Sequence, residues 1–251
     1  MVDKKIRADQ LCVQQGLTPT RSKAQSLILA GVVYSGTQRI DKSSEIFSPD
    51  TPLTLRGKDH DFVSRGGVKL KGALDHFQVD IKNKICLDVG ASTGGFTDCL
   101  LKVGAKKVYT VDVGYGQLAW SLRQDPRVVV IERTNFREFD LSLLKDPIDL
   151  VVIDVSFISL KLILPKVFEI FNSQNFSTKK ILICLIKPQF EVGKKFVGKG
   201  GIVRDLEKRD ECVRDIQNFC ETYSINVKGI IPSSLLGQDG NQEFLLVGES
   251  A

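Results

Sequence analysis

Two ionisable residues stand where apolar runs end. Asp154 follows Leu-Val-Val-Ile, and Lys187 follows Ile-Leu-Ile-Cys-Leu-Ile. A charge beside such a run is costly to bury without a partner, so each residue predicts a partnered or functional position. If the runs are neighbouring parallel strands, both groups sit on one sheet edge. Glu243 opens the last apolar run and reaches that edge if its strand is antiparallel. Lys69 lies at the margin of an apolar helical stripe, Leu70, Ala73, Leu74 and Phe77. Two lysines and two carboxylates can orient a hydroxyl group and accept its proton. Taken singly, each is equally well an exposed charge or half of a structural ion pair. The chain has only two histidines, His60 and His76, and no metal-ligand cluster is expected.

A second constellation predicts a ligand. Ile85-Cys86-Leu87 leads into Asp-Val-Gly-Ala-Ser-Thr-Gly-Gly-Phe (88–96) and then an amphipathic segment. Strand, glycine turn and helix together let the backbone pass close to a ligand and offer free N–H groups at a helix start. Gly90, Ala91, Ser92, Gly94, Gly95 and Phe96 are the candidate contacts. A dinucleotide fingerprint needs a glycine where Ser92 stands, which argues against a close pyrophosphate. Asp112 ends the second strand, where a carboxylate accepts both ribose hydroxyls of an adenosine. Its bland alternative is a cap on the turn at Gly114. Asn135, after the third strand, is a candidate for the adenine environment or a plain turn former.

The elements that position these residues alternate. Strands are predicted at Ile85–Val89, Val108–Val113, Val128–Ile131, Leu150–Val155, Ile181–Ile186, Ile225–Ile231 and Glu243–Val247. Helices are predicted at Phe96–Val103, Gln117–Arg123, Phe136–Leu144, Leu160–Phe171 and Leu206–Tyr223. The strands are continuous apolar runs, as in a parallel sheet covered on both faces. This is a doubly wound α/β domain. No helix separates the last two strands, so they form a hairpin. That arrangement, a mostly parallel seven-stranded sheet closed by an antiparallel strand, resembles Rossmann-like methyltransferases.

The first 57 residues form a separate small unit. Helices are predicted at Ala8–Gln15, ending at Gly16, and at Arg21–Ala30, with Thr20 as N-cap. Short strand pieces come next, at 32–34 and 53–55. The order Ile6-Arg7-Ala8-Asp9, Gly16-Leu17, Thr20-Arg21-Ser22-Lys23-Ala24 and Gly31-Val32-Val33-Tyr34-Ser35-Gly36 resembles the S4-type RNA-binding domain. The resemblance implies a basic helix face set against RNA phosphates, with Arg7, Arg21 and Lys23 on it. On composition alone this unit is a small structural cap. Residues 58–63 are predicted as a linker.

Composition excludes several classes. The 251 residues carry 42% hydrophobic and 26% charged side chains and a net charge of +5, ordinary for a globular protein. The six cysteines form no C-x-x-C pair, no run reaches the roughly 20 apolar residues of a membrane helix, and no signal peptide is visible at the start. A cytoplasmic protein with reduced thiols and no membrane or metal partner is expected. From Lys179 to Arg209 there are nine basic and three acidic residues. Within it, 191–201 is predicted as a mobile glycine-rich loop whose Lys194 and Lys195 either clamp RNA phosphates or face solvent.

Most of the chain resembles one family. Ser64-Arg65-Gly66-Gly67-Val68-Lys69-Leu70, the glycine loop, Val111-Asp112-Val113-Gly114-Tyr115-Gly116, Asp154-Val155-Ser156-Phe157, Lys187-Pro188-Gln189-Phe190-Glu191 and Gly240-Asn241-Gln242-Glu243 resemble the TlyA (hemolysin A) group. Its members pair an S4-type domain with an FtsJ-like methyltransferase domain, here residues 64–251. The resemblance implies S-adenosylmethionine as cofactor, held by the loop, Asp112, Asn135 and Asp154. It implies methylation of a ribose 2′-hydroxyl of ribosomal RNA, with cytidine as the target and rRNA or ribosomal subunits as partners. The catalytic set it implies is Lys69, Asp154, Lys187 and Glu243, and Arg65 joins the RNA contacts.

Lys187 is then the candidate to receive the hydroxyl proton. A lysine is ordinarily protonated, with a pKa of about 10.4, and must lose a proton before it accepts one. Burial and a second lysine favour the neutral amine, whereas carboxylates favour the charged one. Lys58-Asp59-His60-Asp61-Phe62-Val63 departs from the Arg-Ala-Trp-Val of better-known members, and the chain is short for the group. Two competing classes are a membrane-active cytolysin and a non-catalytic RNA-binding protein. Amine methylation fits less well because Val-Ser-Phe, not Pro-Pro-aromatic, follows Asp154. Cytosine C5 methylation needs a presented cysteine, and Cys184 lies inside a strand.

Overall fold

In this computed structural model, residues 5–56, 60–173, 179–237 and 239–250 are described. The chain divides into two compact units, Met1–Arg65 and Gly66–Ala251. Residues 58 and 59 of the expected linker lie outside the described residues.

In the first unit, β1 (Ile6–Arg7) leads into α1 (Ala8–Gln14), and α2 (Arg21–Leu29) comes after it. Thr20 caps α2 by accepting from the Lys23 N–H at 3.2 Å. Short strands come next: β2 (Val33–Ser35), β3 (Gln38–Arg39), β4 (Ile46–Phe47) and β5 (Leu53–Leu55). β1 pairs with β4, and β2 lies between β3 and β5. Ala8, Leu11, Cys12, Ala24, Ile28, Val33 and Ile40 make a small separate core.

The second unit opens with α3 (Gly66–His76) and then alternates. Its further elements are β6 (Ile85–Val89), α4 (Gly95–Lys102), β7 (Lys107–Val111), α5 (Trp120–Arg123), β8 (Val128–Ile131), β9 (Leu150–Ile153), α6 (Leu164–Ser173), β10 (Ile181–Ile186), α7 (Pro188–Glu191), α8 (Leu206–Thr222), β11 (Ile225–Pro232) and β12 (Phe244–Ser250). The sheet order is β11-β12-β10-β9-β6-β7-β8. Strands β10, β9, β6, β7 and β8 run parallel, and β12 is antiparallel to both its neighbours.

Every residue of β6 and β9 is buried, which explains their unbroken apolar sequence. Leu87, Val89, Tyr109, Val151, Ile153, Leu182 and Cys184 pack one face against Phe136, Phe139, α6 and α8. On the other face, α3 and α4 pack on each other and against β6, β7 and β12. Burial of an apolar side chain contributes about 1.5–3 kcal/mol, so this two-sided core fixes the sheet that carries the site.

Three predicted helices need correction. Phe136–Leu144 is not a helix but two 3-10 turns, Phe136–Glu138 and Leu141–Leu143. Asn135 caps the first and Asp140 the second, each by accepting an N–H two residues on. A second cap inside the stretch ends one turn and starts another, so no α-helix propagates. The expected helix 117–123 contracts to Trp120–Arg123, and 160–171 begins with a 3-10 turn at Leu160–Leu162. The stretch 191–201 is a chain of hydrogen-bonded turns. Glu191 accepts from Ser159 Oγ and Leu160 N–H, and the Gly198 N–H donates to the Ile202 carbonyl at 3.0 Å.

Candidate active site

The site forms where the parallel strands end. The glycine turn connects β6 to α4, and its conformation explains its composition. Gly90 has φ +83°, and a Cβ there would lie 2.6 Å from the Asp154 carbonyl oxygen, so the turn passes against the end of β9. Ser92 adopts the left-handed region at φ +48°, unusual for a residue with a side chain. Its N–H donates to Asp112 Oδ2 at 2.7 Å. Gly94 is shaped by packing, because a Cβ there would collide with Leu122 and Leu118. Gly94, Gly95 and Phe96 are buried, and the Phe96 ring belongs to the core. The expected ligand contacts at these three residues are therefore limited to backbone groups.

Asp112 stands one residue beyond β7. Its Oδ1 accepts the Gly114 N–H at 2.7 Å, so the carboxylate holds the turn and the glycine loop together. Both bonds come from backbone N–H groups, and each carboxylate oxygen keeps a second lone pair for a ligand. Val113 beside it is 73% exposed. This half-exposed carboxylate, fixed at a glycine turn, fits the ribose of an adenosine cofactor. Asn135 is different. Its side-chain oxygen accepts the Arg137 N–H at 3.2 Å and its amide faces Glu138, which is the arrangement of the turn former, the alternative to the adenine contact.

Two lysine–carboxylate pairs stand at the same sheet edge. Lys187 comes directly after β10, and its Nζ lies 2.6 Å from Asp154 Oδ1. The same Nζ donates to Ser156 Oγ at 2.8 Å. Lys69, from α3, pairs with Glu243 at 2.5 Å, and both side chains are nearly buried. Ile186 is opposite Phe244 in the β10–β12 register, so Lys187 and Glu243 flank the same position on adjacent strands. Gly237 makes room for Glu243, since a Cβ there would lie 2.4 Å from Oε1. The four expected catalytic residues thus reach one edge as two ion pairs.

Several members of the site are not singled out by residue type or spacing. Ser156 reads as one residue of a loop, yet its spacing from Asp154 places it beside Lys187. Phe157 is 91% exposed, at φ +65°, and its ring lies 5.2 Å from that of Phe190. Asp88 is fully buried in β6 with Thr97 donating to it at 2.6 Å. Burial pushes its carboxyl up to about 7, and Asp154 and Asp112 add to the rise against the Thr97 bond. No short pattern separates these residues from ordinary strand and loop positions.

The expected RNA contacts divide. In the first unit, buried Asp9 accepts Arg7 at 3.1 Å, Arg21 at 3.0 Å and Gln25 at 2.8 Å, leaving both guanidinium groups partly exposed. Lys23 is exposed on α2. Arg65 differs from these, pairing with Asp41 at 3.0 Å with its side chain only 12% exposed. Lys194 and Lys195 are exposed on a 3-10 turn. Among the described residues no group of three His, Cys, Asp or Glu is placed to hold a metal, and no helix is long and apolar enough to cross a membrane. Cys184 is fully buried, and burial holds its thiol well above the usual range.

A sheet with this order, closed by an antiparallel strand and carrying a glycine turn and a strand-end carboxylate, defines a Rossmann-like methyltransferase. The FtsJ-like methyltransferase family profile matches residues 62–250. A candidate rRNA methyltransferase of Bacillus subtilis, YqxC, is 49% identical over 98% of this chain and 86% of its own length. The 16S/23S rRNA (cytidine-2′-O)-methyltransferase TlyA of Mycobacterium tuberculosis is 43% identical over 97% of this chain and 89% of its own. A solved structure described as a candidate hemolysin from Streptococcus thermophilus is 41% identical, with a TM-score of 0.75, covering 100% of this chain and 90% of that one. The chain belongs to the FtsJ-like methyltransferase family, in the group of its TlyA relatives.

Proposed function

We propose that this protein transfers a methyl group from S-adenosylmethionine to a ribose 2′-hydroxyl of ribosomal RNA, with a cytidine as acceptor, in the cytoplasm. The observation that carries the reading is the pair of lysine–carboxylate contacts on the sheet edge beside the glycine turn. The bound cofactor supplies an electrophilic methyl group. The glycine turn and Asp112 orient it, and Asp112 holds the ribose hydroxyls.

Lys187 is the group assigned to the 2′-hydroxyl. Asp154 and Ser156 hold its Nζ from two sides, so it presents a hydrogen to the acceptor oxygen or, as a free amine, takes the hydroxyl proton. Glu243 fixes Lys69, which is assigned to the acceptor's phosphate or hydroxyl. Most of the rate comes from in-line placement of the two reacting atoms. Phe157 and Phe190 offer an exposed aromatic face beside Lys187, suited to stacking an unpaired base. In the first unit, Arg7, Arg21 and Lys23 are assigned to phosphate contacts.

Incubation with ribosomal subunits and labelled S-adenosylmethionine tests the reading. Label in 2′-O-methylcytidine is expected. Label confined to a base, or no label with a protein that binds the cofactor, contradicts it.

A further inference from the structure

The basic stretch after α7 is tied to the segment that carries Glu243, and a single side chain makes the tie. Asn241 is 2% exposed. Its Oδ1 accepts the Val203 N–H at 2.9 Å, and its Nδ2 donates to the Gly201 carbonyl at 2.8 Å. Its own carbonyl accepts the Gly237 N–H at 2.8 Å, closing the turn in which Gly237 lies against Glu243. One residue therefore joins the 198–203 turn to the wall behind the Lys69–Glu243 pair.

The held stretch is cationic. Lys194, Lys195 and Lys199 are exposed on it. Phe196 lies between two cations, with Lys195 Nζ at 4.9 Å and Lys208 Nζ at 5.0 Å from its ring. That stretch leaves the sheet directly after Lys187 and α7. Exposed lysines on long side chains bind polyanions poorly unless their backbone is fixed, because ordering them costs conformational entropy. A buried amide whose donor and acceptor are both used by one loop supplies that fixing.

Resting on the rRNA reading above, we infer that Asn241 is a positioning residue. It holds the 193–204 stretch so that Lys194, Lys195 and Lys199 grip the RNA backbone beside the target nucleotide. It touches neither cofactor nor acceptor.

The test is a double-mutant cycle in the full-length protein, with ribosomal subunits and S-adenosylmethionine. Asn241→Ala raises KM for the subunits about tenfold, the order expected for one or two lost hydrogen bonds. kcat and cofactor affinity by calorimetry stay within about twofold. In a Lys194→Ala, Lys195→Ala, Lys199→Ala background the same substitution has little further effect, because the cations it positions are gone. Asn241→Asp keeps the volume but turns an oxygen toward the Gly201 carbonyl, so it gives the same KM effect if the alanine variant melts early. Additive losses in the lysine-free background overturn the inference, as does a fall in kcat with KM unchanged. A wild-type protein that binds the cofactor but methylates no rRNA overturns the functional reading, and this inference with it.

Discussion

The two units each set cations on carboxylates, and they do so differently. In the first unit, one buried carboxylate, Asp9, collects Arg7, Arg21 and Gln25. Burial alone would raise its pKa, but those bonds outweigh the burial and hold the carboxyl well below the usual range. In the second unit each lysine has its own carboxylate, Lys187 on Asp154 and Lys69 on Glu243. The first arrangement locks planar, permanently charged groups that display forks outward. The second pairs each flexible amine with one carboxylate, and the proposed reactive role belongs to this arrangement.

Breaking the reactive side has the largest expected effect. Lys187→Ala lowers methyl transfer by about a hundredfold or more, the range of a positioned acid or base, with cofactor affinity nearly unchanged. A pH–rate profile then separates its two roles. A rate that climbs with pH marks a free amine taking the proton, and a flat profile marks an ammonium that only orients. Glu243→Ala is next. It frees Lys69 and leaves that nearly buried amine without its partner, lowering transfer by roughly tenfold or more.

The structural side is sharpened by pH. The Asp9 pKa is lower folded than unfolded, so its stabilisation is present above the unfolded value of about 4 and is lost as pH falls below it. Asp9→Asn flattens the acid limb of a melting-temperature profile. Asp88 has the opposite sign. Its pKa is raised to about 7, so the stabilisation is full below about 4 and is lost as pH rises to about 7. Asp88→Asn removes that decline, which thermal melts between pH 4 and 8 would show. Arg65→Ala is the smallest, with RNA affinity within about twofold of wild type, because its guanidinium is already spent on Asp41.

Much of the catalytic sheet is legible in the chain because buried parallel strands leave unbroken apolar runs, and an ionisable residue at the end of such a run is conspicuous. Asp154 and Lys187 stand out for that reason, and their pairing comes from adjacent strand ends. Asp112 is legible by position, though its bond to the Ser92 N–H, which ties its turn to the glycine loop, is not. Residues 136–144 carry a helix-like apolar spacing, and only the capping bonds of Asn135 and Asp140 reveal two turns instead. The Arg65 RNA contact comes from the resemblance, and its partner Asp41, 24 residues away, is not visible in the sequence. Ser156, Phe157 and Asn241 depend on how loops fold back on the sheet edge, which no local pattern encodes.

The Lys187 edge is proposed to direct methyl transfer to a ribose hydroxyl. Mass spectrometry of nucleosides from ribosomal RNA treated with wild-type protein or Lys187→Ala tests it most directly. The expected result is 2′-O-methylcytidine with the wild type and a loss of about a hundredfold or more with the variant. A methyl group on a base, or undiminished 2′-O-methylcytidine from Lys187→Ala, would contradict it.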